Sequence, residues 1–157
     1  YELGVVTLQP DDPRLVAEPF AEEELELIVP AGCRVDDWSD LERLGFIDHP
    51  DGRAMSTRLL SRHFPGNKGI RSIPAHGFVN QIGLILEPVA RGLGFTVLPR
   101  HAREAFSRPR SIEVIESRAP VVDRLWLIHR AEWPLSARAQ RVVLHMRQVL
   151  AREGAGG

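Results

Sequence analysis

The stretch VARGLGFTVLPR, residues 89–100, is the most informative part of the sequence. An apolar helix end there runs into Gly92-Leu93-Gly94, and an apolar strand over residues 95–98 follows before Pro99. Glycine is the usual residue just past a helix, because it enters the left-handed region without a side-chain clash. Gly94 then lets the strand pass close to the helix that it has just left. The stretch therefore predicts a helix, a tight turn and a buried strand in immediate succession.

The composition is that of a soluble globular protein, with 157 residues, of which 43% are hydrophobic and 26% charged. Twenty basic and 21 acidic residues give a net charge of -1, without the dense basic stripe that contacts a phosphate backbone. Cys33 is the only cysteine, which excludes an intrachain disulfide and fits a reducing cytoplasm. No apolar run approaches the roughly 18 residues of a membrane span, so no membrane partner is expected.

Hydrophobic periodicity and turn residues divide the rest of the chain into short elements. Ser39 and Glu42 have the spacing of a capping box before a short helix, and Pro88 is expected to kink or split a longer one. Strands are predicted at residues 3–7, 24–29, 46–49, 70–74, 95–98, 112–115 and 125–129. Helices are predicted at residues 40–44, 54–64, 78–91 and 136–152, the last with Val142, Val143, Met146, Val149 and Leu150 inward.

Strands that alternate with helices indicate an α/β fold with a mostly parallel sheet. Ligands bind such sheets at the carboxyl ends of the strands, where helix N-termini supply free amides. In this chain those positions are residues 49–53 and 74–79.

These two segments contain the candidate ligand-binding residues. His49 and His76 each end a predicted strand, and we expect the two loops to be neighbours, so the histidines either line a site together or are exposed turn residues. Arg53, beside Gly52, either clamps a carboxylate or is a solvated residue at a helix start. Phe78 either packs on a ligand ring or staples its helix to the core. The full candidate set is Thr7, His49, Pro50, Gly52, Arg53, His76, Gly77 and Phe78.

No catalytic or metal chemistry is predicted. The six histidines include no pair at the short spacing of common metal ligands, so neither a metal nor a cofactor is expected. Ser56 and Ser61 lack the glycine-flanked elbow of a serine nucleophile, and Cys33 lies in an expected exposed loop, after residues 30–32. The glycines of the GLG close a helix, whereas those of a dinucleotide site open one. We therefore expect that the chain is not an enzyme.

The GLG, the strand and the LP that follows resemble the hallmark near the end of the second subdomain in the effector-binding domain of LysR-type transcriptional regulators. Other pieces follow in the family's order and extend the resemblance over essentially the whole chain. They are residues 1–7, 18–20, 24–30, 38–41, 45–48, 125–130 and the terminal helix from residue 136.

The resemblance implies a periplasmic-binding-protein-like fold of type II, with a small effector held in a cleft between two α/β subdomains. Residues 1–20 and 123–157 would be part of an incomplete first subdomain, and residues 21–121 would be the second. The family's winged helix-turn-helix would precede this chain, so DNA would be bound only through that absent N-terminal domain. Thr7 either donates a hydroxyl from the first subdomain or caps its own loop.

The function that the resemblance implies is effector sensing in the cytoplasm by a bacterial transcriptional regulator. The effector would be a small anionic or aromatic metabolite. The chain would also support a homo-oligomer, a dimer or tetramer, for which the helix over residues 54–64 is the candidate second-subdomain surface. The alternative is a stand-alone solute-binding protein of the same architecture.

Overall fold

The computed structural model of the chain describes residues 2–117 and 119–154. The strands are β1 (Leu3–Val6), β2 (Leu15–Pro30), β3 (Phe46–Asp48), β4 (Ala75–Phe78), β5 (Thr96–Pro99), β6 (Ile112–Ile115) and β7 (Val122–Arg130). The α-helices are α1 (Trp38–Leu44), α2 (Gly52–His63), α3 (Leu86–Ala90), α4 (Arg100–Glu104) and α5 (Ala137–Gly154). Short 3-10 turns lie at Ile70–Ser72, Ile82–Leu84 and Pro109–Ser111. Within the described residues, none of these helices combines the length and the apolar character needed to cross a membrane.

The chain forms two compact units and passes from one to the other twice. Unit 1 contains Tyr1–Glu23 and Asp123–Gly157, and unit 2 contains residues 24–122. The long strand β2 begins in unit 1 and ends in unit 2.

In unit 1, β1 pairs antiparallel with β7, and α5 follows. The Ser136 hydroxyl accepts a hydrogen bond from the Ala139 amide at 3.2 Å, which confirms the predicted N-cap. Two of the side chains expected to point inward from α5, Val142 and Val149, are exposed instead. The face that is at least half-buried runs through positions 139, 143, 146 and 150, a narrower stripe than the sequence indicated.

In unit 2, β2 lies between β5 and β6 and pairs antiparallel with both. Its side chains alternate between two apolar clusters, as the period of a strand requires. Leu27 is buried in one cluster with Leu41 of α1 and Leu59 of α2. Ile28 is buried in the other, together with Val89 of α3. The two clusters hold the helices that position the candidate site.

The expected mostly parallel sheet is wrong for the larger sheet, since the neighbours of β2 in unit 2 return in the opposite direction. Parallel pairing is found where β3 lies beside β4, and in a single bridge between Phe46 and Phe95.

The region between α2 and α3 also differs from the prediction. The expected strand over residues 70–74 is a 3-10 turn, and the expected turn over residues 75–77 is part of β4. Ile70 and Ile73 supplied the apolar signal, but they are buried without pairing as a strand. The expected helix over residues 78–91 shrinks to α3, which begins two residues before Pro88. A proline in the first turn loses no helical hydrogen bond, whereas the longer helix would place it in the interior.

The GLG stretch folds largely as predicted. Gly92 ends α3 with φ of 80°, and the buried strand β5 follows. Gly94 permits a close approach, although to the backbone of Gly45 and not to the preceding helix. The Gly45 carbonyl accepts the Phe95 amide at 2.9 Å, which fixes β5 beside the start of β3.

Candidate functional site

The candidate site begins where β3 ends, in unit 2. Phe46 and Ile47 of β3 are buried in the two apolar clusters, and the chain then turns polar at Asp48. His49 is only 5% exposed, which contradicts its reading as an exposed turn residue. Its ring Nε2 lies 2.9 Å from the Val97 carbonyl, so this nitrogen carries the proton and donates. The histidine therefore ties the end of β3 to β5.

Arg53, the second residue of α2, places its guanidinium at the surface of unit 2. Its side chain is 57% exposed, and its Nε donates to Oδ2 of Asp48 at 2.9 Å. The other oxygen of that carboxylate accepts the His49 amide, also at 2.9 Å. Sequence reasoning missed Asp48. The available signal was an acidic residue at the end of a buried strand, five residues before an arginine in the first turn of a helix.

The start of α2 lacks a side-chain cap. Its N-cap residue, Asp51, makes no capping hydrogen bond, and the Gly52 amide donates to the His49 carbonyl at 2.9 Å. Helical geometry gives the amides of Arg53 and Ala54 no partner within the helix, and these groups carry the positive end of the helix dipole. The first turn can therefore donate hydrogen bonds to an anion.

Gly52 is required by the close packing at this turn. A Cβ atom there would lie 2.8 Å from Oδ1 of Asp48 and 2.9 Å from the His49 ring. Any other residue would push the carboxylate or the imidazole away. Pro50, in the same turn, is exposed.

Strand β4 brings Phe78 to the same end of β3. Phe78 is opposite Asp48 in the parallel register, and the Val79 amide donates to the Asp48 carbonyl at 2.9 Å. The Phe78 side chain is 63% exposed, so its expected alternative role as a staple against the core is wrong. Gly77 is half-buried opposite Ile47. Asn80 and Gln81 are exposed just beyond the end of β4, and the sequence did not single them out because it predicted a helix over residues 78–91.

The structure does not bring His76 to His49. The His76 ring Nδ1 lies 3.0 Å from the Leu93 carbonyl, and a Cβ on Gly45 would be 2.2 Å from the same nitrogen. Gly45 precedes β3 and His49 follows it, a separation of about 13 Å along an extended strand. The two histidines therefore lie at opposite ends of β3, because β4 runs parallel to β3 and His76 lies near its beginning. Of the second predicted segment, only the end at Phe78 and Val79 reaches the side of His49.

Two further predictions concern residues outside this cluster. Thr7 is exposed, directly after β1 in unit 1. Among the described residues, no three or more histidine, cysteine, aspartate or glutamate side chains group together in a way that could hold a metal ion.

The arrangement thus offers binding groups of three kinds. Arg53 and the first amides of α2 are donors, Phe78 is an exposed aromatic surface, and Asp48 is a carboxylate that already accepts two hydrogen bonds. Such a set is suited to a small anion that carries an apolar ring.

Comparison with known proteins identifies the class of fold. The chain has the type II periplasmic-binding-protein-like fold of transcriptional regulatory domains. It matches the model of the LysR substrate binding domain over residues 1–151 and belongs to that family. This membership does not favour a stand-alone solute-binding protein. No curated protein sequence matches the chain.

Solved structures show the same fold at low sequence identity. The CcmR regulatory domain of Synechocystis PCC6803, in complex with 2-PG, superposes with a TM-score of 0.70 and 19% identity, over 95% of this chain and 73% of that one. The CrgA regulatory domain of Neisseria meningitidis gives 0.75 and 10%, over 95% and 75%. A full-length OxyR variant from Pseudomonas aeruginosa gives 0.67 and 22%, over 93% and 52%. The chain thus spans about three quarters of the two regulatory domains and about half of the full-length regulator.

Proposed function

We propose that this chain is the effector-sensing part of a bacterial LysR-type transcriptional regulator, and that its effector is a small anion with an aromatic or apolar body. The observation that carries the proposal is the exposed Arg53 guanidinium beside the uncapped start of α2. The exposed Phe78 ring, in register with Asp48, supports the apolar part of the effector.

The proposed contacts divide the candidate residues by role. Arg53 and the first-turn amides of α2 bind the anionic group, and Phe78 and Pro50 contact the ring. His49 and Gly52 keep the loop in place, since His49 is buried and Gly52 leaves no room for a side chain. His76, Gly77 and Thr7 remain predicted contributors whose contacts with the effector are to be tested by mutation.

The strength of binding follows from the exposure of the donors. A hydrogen bond to a charged group contributes roughly 1.5–3 kcal/mol, and a helix N-terminus adds about 0.3–1 kcal/mol at an exposed site. Because Arg53 is more than half exposed and partly engaged by Asp48, we expect its contribution near the lower limit. This corresponds to about a tenfold change in affinity.

Family membership supports the regulatory part of the proposal. The chain would act in the cytoplasm as a sensor, without catalysing a reaction, and would bind DNA only through an N-terminal domain outside these residues. The effector would shift the population of regulator conformations by its differential affinity for them.

We also propose that the regulator is a homo-oligomer. Its candidate interface includes α2, which contains most of the helix predicted over residues 54–64. The exposed side chains of α2 are polar, except for Ala54, so this interface would be largely hydrophilic. Sedimentation of the intact regulator as a monomer at all concentrations would contradict this proposal.

Titration calorimetry with benzoate tests the effector site. We expect Arg53→Ala to weaken benzoate binding about tenfold while the fold is kept. Arg62→Ala is the matched control, because it removes the same charge from the other end of α2 and should leave the affinity unchanged. Unaltered affinity in both Arg53→Ala and His76→Ala would place the effector site elsewhere.

A further inference from the structure

The Asp48 carboxylate is an anion already built into the proposed effector site. Its two oxygens accept the His49 amide and the Arg53 Nε, each at 2.9 Å. Backbone pairing with β4 fixes the residue further, through the bond from the Val79 amide to its carbonyl. The carboxylate is therefore held at the end of β3 and is not a mobile surface charge.

The carboxylate and the guanidinium differ in their exposure to water. The Asp48 side chain is 13% exposed, whereas that of Arg53 is 57% exposed. An incoming anion therefore meets the outer edge of the guanidinium, with the carboxylate on its inner edge. A partly buried charge is screened less than an exposed one, so the repulsion from Asp48 reaches a ligand bound to Arg53.

This repulsion scales with the charge of the ligand. The width of a guanidinium group separates the two anions by roughly 6 Å, and an effective dielectric constant of about 40–80 then gives a penalty of about three- to tenfold in affinity for each unit of ligand charge. The affinity for a monoanion falls by this factor, and the affinity for a dianion falls by its square.

We propose that Asp48 sets the charge specificity of this site: it weakens the binding of doubly charged phosphate esters more than that of singly charged carboxylates. The proposal rests on the proposed function, because it assigns an effector class to that same site. Asp48 is a positioning residue in this arrangement: it holds the Arg53 Nε, so that only the remaining edge of the guanidinium is offered to the ligand.

Benzoate and phenyl phosphate are a suitable pair of probes, since they share a ring and differ in charge. At pH 8 the phosphate ester is doubly charged, because its second pKa is about 6. Arg53 attracts both probes and attracts the dianion more strongly, so the quantity to compare is the change in each affinity when the Asp48 charge is removed.

Asp48→Asn removes the charge and retains one acceptor oxygen. We expect it to strengthen benzoate binding about three- to tenfold and phenyl phosphate binding by about the square of that factor. Asp48→Ser, which is smaller and also neutral, should give the same ratio if the Asn variant does not fold. Asp36→Asn removes an exposed carboxylate that precedes α1 and should change neither affinity.

The outcomes separate this proposal from the function on which it rests. Equal gains for the two probes, or no gain for either, refute the role of Asp48 while the effector site stands. Benzoate binding that does not depend on Arg53, or no binding of either probe, refutes the effector site itself.

Discussion

The segments before and after strand β3, its entry side and its exit side, differ in how their polar groups are bonded. On the entry side, a complete capping box starts α1, and the Gly45 backbone is bonded to both Leu41 and Phe95. On the exit side, Asp51 leaves the start of α2 uncapped, and charged side chains reach the surface. The entry side uses its polar backbone groups internally, whereas the exit side keeps donors that a ligand can use. Each side places a turn and a helix next to the strand, but the entry side serves packing, whereas the exit side offers groups for recognition.

The largest expected effect is at Gly94, on the entry side. A Cβ atom there would lie 2.6 Å from the Gly45 carbonyl oxygen, a backbone atom that also accepts the Phe95 amide. We expect Gly94→Ala to destabilise the chain by about 2–4 kcal/mol in urea unfolding, because the backbone of β3 or β5 must move.

Gly83→Ala is the control for this substitution. Gly83 has nothing within 4 Å of a built Cβ and no positive φ, so we expect a change within about 0.5 kcal/mol. Equal effects at the two glycines would show that the entry side is not closely packed.

A smaller effect is expected at Gly45, whose φ is 75°. Its added Cβ would meet the His76 ring, while the same change at Gly92, with φ of 80°, would meet nothing within 4 Å. We expect Gly92→Ala to cost about 1–2 kcal/mol from the backbone conformation alone. Gly45 combines its positive φ with ψ of 159°, a region that essentially only glycine adopts, so Gly45→Ala should cost about 2–3 kcal/mol in all, of which about 1 kcal/mol comes from the clash.

Combining Gly45→Ala with His76→Ala isolates the clash. Gly45→Ala should cost about 1 kcal/mol less in the His76→Ala background than in the wild type. A full additive loss in the double variant would mean that His76 does not pack against Gly45.

The sequence predicted the elements whose local signals agree with their packing. The GLG turn and β5 were predictable because a glycine at positive φ and a buried apolar run leave few alternatives, and the Ser136 cap of α5 has a local signature. The start of α1 was placed correctly to within two residues, but its capping box is Asp37 with Asp40 and not Ser39 with Glu42. Asp37, Ser39 and Asp40 are all residue types that cap helices, and their spacing alone does not decide among them.

The candidate site was predictable only in part, because it depends on which segment pairs with β3. Arg53 and Gly52 were found from the helix start alone. The neighbourhood of His49 and His76 was predicted wrongly, since β4 consists of residues 75–78 and carries His76 to the other end of β3. The β4 segment pairs through its backbone, so side-chain periodicity gave no sign of it. Asp48 was missed because its importance comes from the contact with Arg53 across the turn.

The smallest expected effect is at the start of α1, and the start of α2 serves as its comparison. The hydrogen bond from the Ser39 hydroxyl lowers the pKa of Asp37, and the Asp40 amide lowers it further. A carboxyl group with a lowered pKa in the folded chain stabilises the fold above its unfolded pKa of about 3.9, and this contribution is lost as the pH falls through the folded value. Asp37→Ala should therefore reduce the free energy of unfolding at pH 7, with a difference from the wild type that shrinks below about pH 4. Asp51→Ala, which removes a side chain that makes no capping bond, should change stability little at either pH. Urea unfolding of the three proteins at pH 7 and at about pH 2.5 measures both differences, and a pH-dependent loss of the same size in Asp51→Ala would show that α2 is capped as α1 is.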